Sequence, residues 1–335
     1  MKIVSLTGQR ECAVVDRPEP VVKDEFVKVR IVVAPMCTEY KSYLDGGKSD
    51  CLGHEAAGEV VEVARPGKVK VGDRVVVMPL YPCGSCELCM DGDYIHCEHG
   101  VDPLVVCGSE TGKATYAQYC VKQDWLLLRI PDGVSYEHGA MACCGLGPAF
   151  GAAQRMNIGV ADTVLITGLG PVGLGGVINC VKRGATVIGV EGLPYRTKLA
   201  MELGAAVVVD PKDPDALKKI KDRTGGRGAD CAIDCTANPQ AQKFCVDATR
   251  RRGQVAFIGW GGHIELGNMP PQGLTLHGVW HWRLNDAARF MRMIAESSAL
   301  IDKLITHRLP MSKAKEAFEL QTRGECGKVL LDPWR

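Results

Sequence analysis

Thr163-Val164-Leu165-Ile166-Thr167-Gly168-Leu169-Gly170-Pro171-Val172-Gly173 decides the fold. Its first five residues read as a short buried strand, and Val172–Arg183 reads as a helix. Gly168 allows a tight turn, Gly170 lets a ligand approach the backbone, and Gly173 lets the helix pack closely. The helix N-terminus attracts negative charge. A second strand, Thr186–Val190, ends in Glu191, 18 residues after Gly173. That order is the setting of a dinucleotide-binding turn, with Gly168, Gly170, Pro171, Val172 and Gly173 around the pyrophosphate. Glu191 is placed to accept hydrogen bonds from ribose hydroxyls and to repel a 2′-phosphate, so NAD(H) is favoured over NADP(H). Arg196, just beyond it, can tolerate that phosphate.

The alternation continues outward from the turn. Tyr195–Leu203 and Lys218–Arg223 read as helical, and Ala206–Val209, Cys231–Asp234 and Gln254–Ile258 as strands. This predicts an α/β unit, a doubly wound parallel sheet covered on both faces, over residues 149–284. Residues 1–148 are β-rich instead, with runs at Val27–Val33, Gly58–Val63 and Arg74–Met78. After Trp282, a helix over Ala287–Ser297, a break at Pro310, a helix over Ser312–Gln321 and a strand over Gly327–Leu331 fill residues 285–335.

Charged residues make up 24% and apolar ones 46%, and the net charge is +1, which favours neither nucleic acid nor an anionic membrane as partner. Ala161–Val181 is apolar enough to suggest a membrane span, but its glycines and Pro171 divide it into strand, turn and helix. The N-terminus shows no long apolar stretch of the kind a signal peptide needs.

Sixteen cysteines would suit secreted disulfides, but four of them stand close enough in sequence to share one ion. Cys83, Cys86, Cys89 and Cys97 form a Cys-x2-Cys-x2-Cys-x7-Cys array in a loop from Tyr81 to Gly100 that has little apolar periodicity. Four soft ligands describe a closed, structural zinc site, and a metal would order so long a loop. An iron–sulfur cluster fits the wide last spacing poorly. The other cysteines fall largely in apolar segments, and a reducing cytoplasm follows. Cys37 and Gly53-His54-Glu55 offer a second metal site, with a third ligand from Cys143 or Cys144 beside Gly145. Three protein ligands and an open position describe a catalytic zinc, with Glu55 as an exchanging ligand or an orienting group.

These residues, together with Leu203-Gly204-Ala205 and the closing Gly327-Lys328-Val329-Leu330, resemble the zinc-containing medium-chain alcohol/polyol dehydrogenases over nearly the whole length. The resemblance implies a GroES-like catalytic domain, a Rossmann domain inserted before the last helices, and a homodimer or homotetramer. It also implies two zinc ions per chain, the catalytic one held by Cys37, His54 and Cys144. The implied activity is reversible oxidation of a small-molecule alcohol or polyol to a carbonyl. Cys144 matches the alcohol dehydrogenases, where the polyol members carry a glutamate, so the chain mixes two branches. The run Cys37-Thr38-Glu39-Tyr40 departs from the family pattern of a cysteine, one residue, then Ser or Thr and Asp. Either Thr38 keeps the hydroxyl role or Glu39 accepts the substrate proton. His281 and Trp282 stand where relatives place substrate-contacting side chains. A zinc-independent enone reductase and an inactive, zinc-stabilised nucleotide-binding protein are the competing expectations on the same scaffold.

Overall fold

The computed structural model describes residues 1–263 and 269–335. The chain divides into two compact units. Met1–Gly145, Arg283–Ser298 and Ile305–Arg335 form the first; Leu146–Trp282 and Ala299–Leu304 form the second.

The first unit opens with an antiparallel hairpin of β1 (Lys2–Gly8) and β2 (Glu11–Asp16). The ten-residue β3 (Phe26–Pro35) then alternates through its middle: Val27, Val29 and Ile31 enter the core, while Lys28 and Arg30 stay half-buried on the other face. It pairs with β4 (Ala56–Val63), which continues to β5 (Arg74–Val77). After the cysteine loop come β6 (Tyr119–Gln123), on β3, and β7 (Leu127–Arg129), on β5. Gly58 sits where a Cβ would lie 2.2 Å from Arg30 O, beside a shift in the β3–β4 register. That close backbone approach explains a glycine inside a strand.

In the second unit, β8 (Thr163–Thr167), β9 (Thr186–Val190), β10 (Val207–Val209), β11 (Ala229–Asp234), β12 (Thr249–Phe257) and β13 (Thr275–Gly278) form one parallel sheet, in the order β10-β9-β8-β11-β12-β13. Leu165, Ile188, Ala232 and Val255 pack against Ile220, Cys245 and Ala248 from the crossover helices. The winding direction reverses between β8 and β11, and ligands of such sheets bind outside the carboxyl ends at that point.

The chain then returns to the first unit. There β14 (Ile305–Pro310) and β15 (Lys328–Asp332) complete a sheet ordered β14-β15-β3-β4-β5-β7. The helix Ala314–Arg323 between them stacks Phe318 on Tyr43, with ring centroids 4.8 Å apart. The first hairpin, β13 and β14 are strands that the sequence pattern did not announce. β13 and β14 are edge strands with polar or half-exposed faces, so they lack the apolar signature of buried ones. Pro310, read as a break, is the last residue of the edge strand β14, where a missing N–H is tolerated. A further helix, Ser298–Leu304, lies within the stretch assigned to the catalytic domain. Its residues from Ala299 onward belong to the second unit, where Lys303 Nζ donates to Glu202 O at 3.2 Å.

Candidate metal centres and nucleotide turn

Cys83, Cys86, Cys89 and Cys97 come together with all four sulfurs within 4.8 Å of one another. Cys97 Sγ lies 3.6 Å from Cys83 Sγ and 3.8 Å from Cys86 Sγ. Those separations exclude a disulfide and match the edge of a tetrahedron, about 3.8 Å, around an ion with ~2.3 Å metal–sulfur bonds. Backbone N–H groups of Ser85 and Cys86 point at Cys83 Sγ, at 3.5 and 3.3 Å, and bring its thiol down to about 6. The Cys83 and His99 N–H groups donate to Cys97 Sγ, at 3.2 and 3.4 Å. A soft donor set wrapped by N–H donors fits zinc. The tip of this loop grips the segment that re-enters the first unit. Leu284 N donates to Gly92 O at 2.9 Å, Arg283 Nη2 and Asn285 Nδ2 donate to Asp91 O, and Arg283 also pairs with the Asp91 carboxylate.

Cys37, His54, Glu55 and Cys144 form the second group within 4.8 Å. Cys37 follows the end of β3, and His54 and Glu55 precede β4. Gly53, at φ +83°, brings His54 inward past Tyr116, whose ring carbon would lie 2.5 Å from a Cβ there. His54 Nε2 lies 3.2 Å from Cys144 Sγ and 3.9 Å from Glu55 Oε1. The opposite ring atom, Nδ1, is 2.6 Å from Glu39 Oε1. Glu39 Oε2 accepts from the Tyr116 hydroxyl at 2.8 Å and from Cys37 N–H at 3.2 Å. Burial pushes the Glu39 carboxyl up, but the His54 ring and the Tyr116 hydroxyl hold it below its ordinary value. Glu39 is therefore the carboxylate that fixes the imidazole, the arrangement metal-binding histidines use. The two roles expected of this run, a Thr38 hydroxyl or a Glu39 that accepts the substrate proton, meet a Glu39 already engaged by His54, Tyr116 and the Cys37 N–H. Thr38, next to Cys37, is exposed.

Glu55 is fully buried, and its Oε1 takes the Lys328 ammonium at 2.7 Å, while its Oε2 accepts from Cys144 N–H at 3.2 Å. Burial pushes the Glu55 carboxyl up. Burial also opposes the Lys328 charge, but Glu55 and the neighbouring thiols hold the lysine above its ordinary value. The pair stands as a buried ion pair. Two thiols, an imidazole and a carboxylate beside a fixed cation fit a zinc site with three firm ligands. Cys143, the alternative third ligand, turns away and donates to Val77 O. Lys328 and Tyr116 are the residues that the motif reading missed as parts of this site. Lys328 lay inside the quoted closing run, but nothing local pairs it with Glu55, 273 positions away.

In the second unit the glycine turn takes its expected form. Gly168 has φ +78°, and a Cβ on Gly173 would lie 2.0 Å from Gly168 O. Gly170 precedes the helix Pro171–Lys182, with Pro171 and Val172 in its first turn. Glu191 folds onto the turn: Oε2 accepts from Leu169 N–H at 3.0 Å, and Oε1 from Gly192 and Leu193 N–H. Of about four lone-pair sites three are taken, which leaves one on Oε2 for a further donor. Arg196 Nη1 stands 3.9 Å from Glu191 Oε2 and 3.9 Å from the Cβ position of Gly170. His281 and Trp282 are 3% and 2% exposed, and Trp282 packs edge-on against Phe150. Core packing accounts for Trp282 without a substrate. Trp280 instead pairs with Trp260, which is 70% exposed just past the carboxyl end of β12.

Fold and thiolate sites together define a metal-binding, nucleotide-binding oxidoreductase scaffold. An alcohol dehydrogenase GroES-like domain model matches residues 23–132, and a zinc-binding dehydrogenase model matches residues 171–296. A sorbitol dehydrogenase from Bacillus subtilis (strain 168) is 30% identical over 352 aligned residues, covering 100% of this chain and 98% of the relative. The structure of 2R,3R-butanediol dehydrogenase from Bacillus subtilis is 27% identical, with a TM-score of 0.85 over 99% of both chains. Alcohol dehydrogenase TADH from Thermus sp. ATN1 reaches a TM-score of 0.89 over 99% of both chains; at 23% identity it speaks for the fold alone. The chain belongs to the zinc-containing medium-chain alcohol/polyol dehydrogenase family.

Proposed function

We propose that this chain reversibly oxidises an alcohol or polyol to a carbonyl with NAD, using one zinc at Cys37, His54 and Cys144 and a second, structural zinc at Cys83, Cys86, Cys89 and Cys97. The observation that carries the proposal is the convergence of Cys37, His54, Glu55 and Cys144 within 4.8 Å in a member of this family. Zinc held there would supply a Lewis acid that makes an alcohol oxygen acidic, and the bound nicotinamide would take the hydride.

The remaining work falls to the chain's own side chains. Glu39 holds the His54 ring with Nε2 facing Cys144, and Tyr116 holds Glu39. Lys328 holds Glu55 beside the ligands, so the carboxylate is oriented before any substrate arrives. Thr38 is the hydroxyl through which the substrate proton leaves. Glu191 and the turn at Gly168–Gly173 receive the dinucleotide, and the carboxylate favours NAD over NADP. Cysteines gathered at two candidate metal centres, with others in apolar segments, support a reducing cytoplasm, and among the described residues no helix is long and apolar enough to cross a membrane. A homodimer or homotetramer is the proposed assembly, to be read by light scattering.

The test is a panel of simple alcohols, polyols and amino-alcohols, each run with NAD and with NADP and followed by absorbance of the reduced cofactor. Cys37→Ser should abolish turnover while NADH binding survives. Normal turnover by that variant would show the metal assignment to be wrong.

A further inference from the structure

Asp234 ends β11, is fully exposed to protein and not at all to solvent, and collects five hydrogen bonds on one carboxylate. Oδ1 accepts from the Thr167 hydroxyl at 2.9 Å, the Thr236 hydroxyl at 2.6 Å and Thr236 N–H at 3.1 Å. Oδ2 accepts from Ala237 N–H at 3.1 Å and Gln242 Nε2 at 3.4 Å. None of the five donors is a cation.

The location gives the cluster its meaning. Thr167 and Asp234 face each other across the β8–β11 pairing, the place where the sheet's winding direction reverses. Thr167 is also the residue before Gly168, so its hydroxyl ties the start of the glycine turn to β11. Thr236, held at both its N–H and its hydroxyl, packs on that turn; its methyl would lie 2.4 Å from a Cβ on Gly168. Ala237 has φ +60°, a conformation alanine resists, and its N–H is fastened to Oδ2. Gln242 carries the contact onward by donating to Gly261 O at 3.2 Å, in the loop after β12. The Asp234 carbonyl takes Ile258 N–H and Gly259 N–H as well. One residue thus braces the loops at the carboxyl ends of three neighbouring strands.

We propose that Asp234 is a positioning residue for the dinucleotide: it sets the shape of the crevice without touching the reacting atoms. The proposal rests on the reading of this unit as the cofactor site. Asp234→Asn keeps the size but cannot keep the bonds. Whichever way the amide is turned, its NH2 faces a backbone N–H, that of Thr236 or that of Ala237.

The experiment is NADH titration by fluorescence on purified, zinc-loaded protein, with kcat and KM for NAD measured alongside. Asp234→Asn should raise the NADH Kd by about tenfold, the scale of a buried bond left unmade. KM for NAD should rise in parallel, with kcat at saturating NAD within about threefold and zinc content unchanged. Thr167→Val, which removes one strut, should weaken NADH binding by several-fold, and Thr167→Ser, which restores the hydroxyl, should bind as the parent does. Should Asp234→Asn fail to fold, the Thr167 pair decides. Unchanged binding by Asp234→Asn and Thr167→Val, or equal weakening by Thr167→Ser and Thr167→Val, overturns the proposal while the cofactor assignment stands. A parent protein that binds neither NADH nor NADPH overturns both.

Discussion

Glu39 shows how a departure from a family pattern can be absorbed. The Glu39 side chain reaches His54 Nδ1, and Tyr116 steadies its far oxygen. Glu39→Gln keeps the shape and removes the charge. It should weaken zinc binding at the Cys37 site by about 10–100-fold, the usual effect of losing such a partner, as read by competition with a chromogenic chelator. An unchanged affinity would leave Glu39 without this role. Lys328→Met strands the Glu55 carboxylate in a dry interior, and a broken buried pair costs about 3–5 kcal/mol. Denaturant titration of the two proteins measures it. The residues that converge at the candidate metal centres were legible, because cysteine and histidine spacing is a local signal. Their partners were not: Tyr116 and Lys328 reach the site only through strand pairing and the chain's return.

The cysteine loop is the element most dependent on something outside its own apolar contacts. It has two short helical turns, Glu87–Met90 and Tyr94–His96, and its sulfurs set the rest. Cys89→Ser should lower zinc from two ions per chain to one and make the stretch from Tyr81 to Gly100 the first site of limited proteolysis. Retention of two ions would contradict the assignment. Because Gly92 and Asp91 hold Leu284, Arg283 and Asn285, the same variant should also speed amide exchange in that returning segment. Among regular elements, the strand–helix alternation after Thr163 was readable because buried parallel strands are short apolar runs between glycines. The edge strands β13 and β14 were hidden, since an edge needs no apolar alternation and admits proline and histidine.

For the whole molecule, stability carries a pH signature from one buried lysine. Burial drives the Lys122 ammonium down to about 7; its Nζ donates to Leu80 O and lies 3.5 Å from the centre of the Tyr81 ring. The unfolded chain holds that proton to about 10.4. Between the two values the unfolded state binds more protons, so this residue makes stability rise with pH. Lys122→Met should be the more stable protein at pH 6.5, with the gap to the parent shrinking by about 3 kcal/mol by pH 9.5. Isothermal denaturation at both pH values checks this, and a gap that stays constant would place the cause elsewhere.

The first unit is assembled from distant parts of the chain: β3 pairs with β15, and Glu55 finds its counter-charge on Lys328, 273 positions further on. The converging residues Cys37, His54 and Cys144 all precede that lysine in the chain by more than 180 positions. The cation that orients Glu55 is thus delivered by the docking of β15 on β3, and a chain in which that strand has not yet paired holds the ligand residues without it.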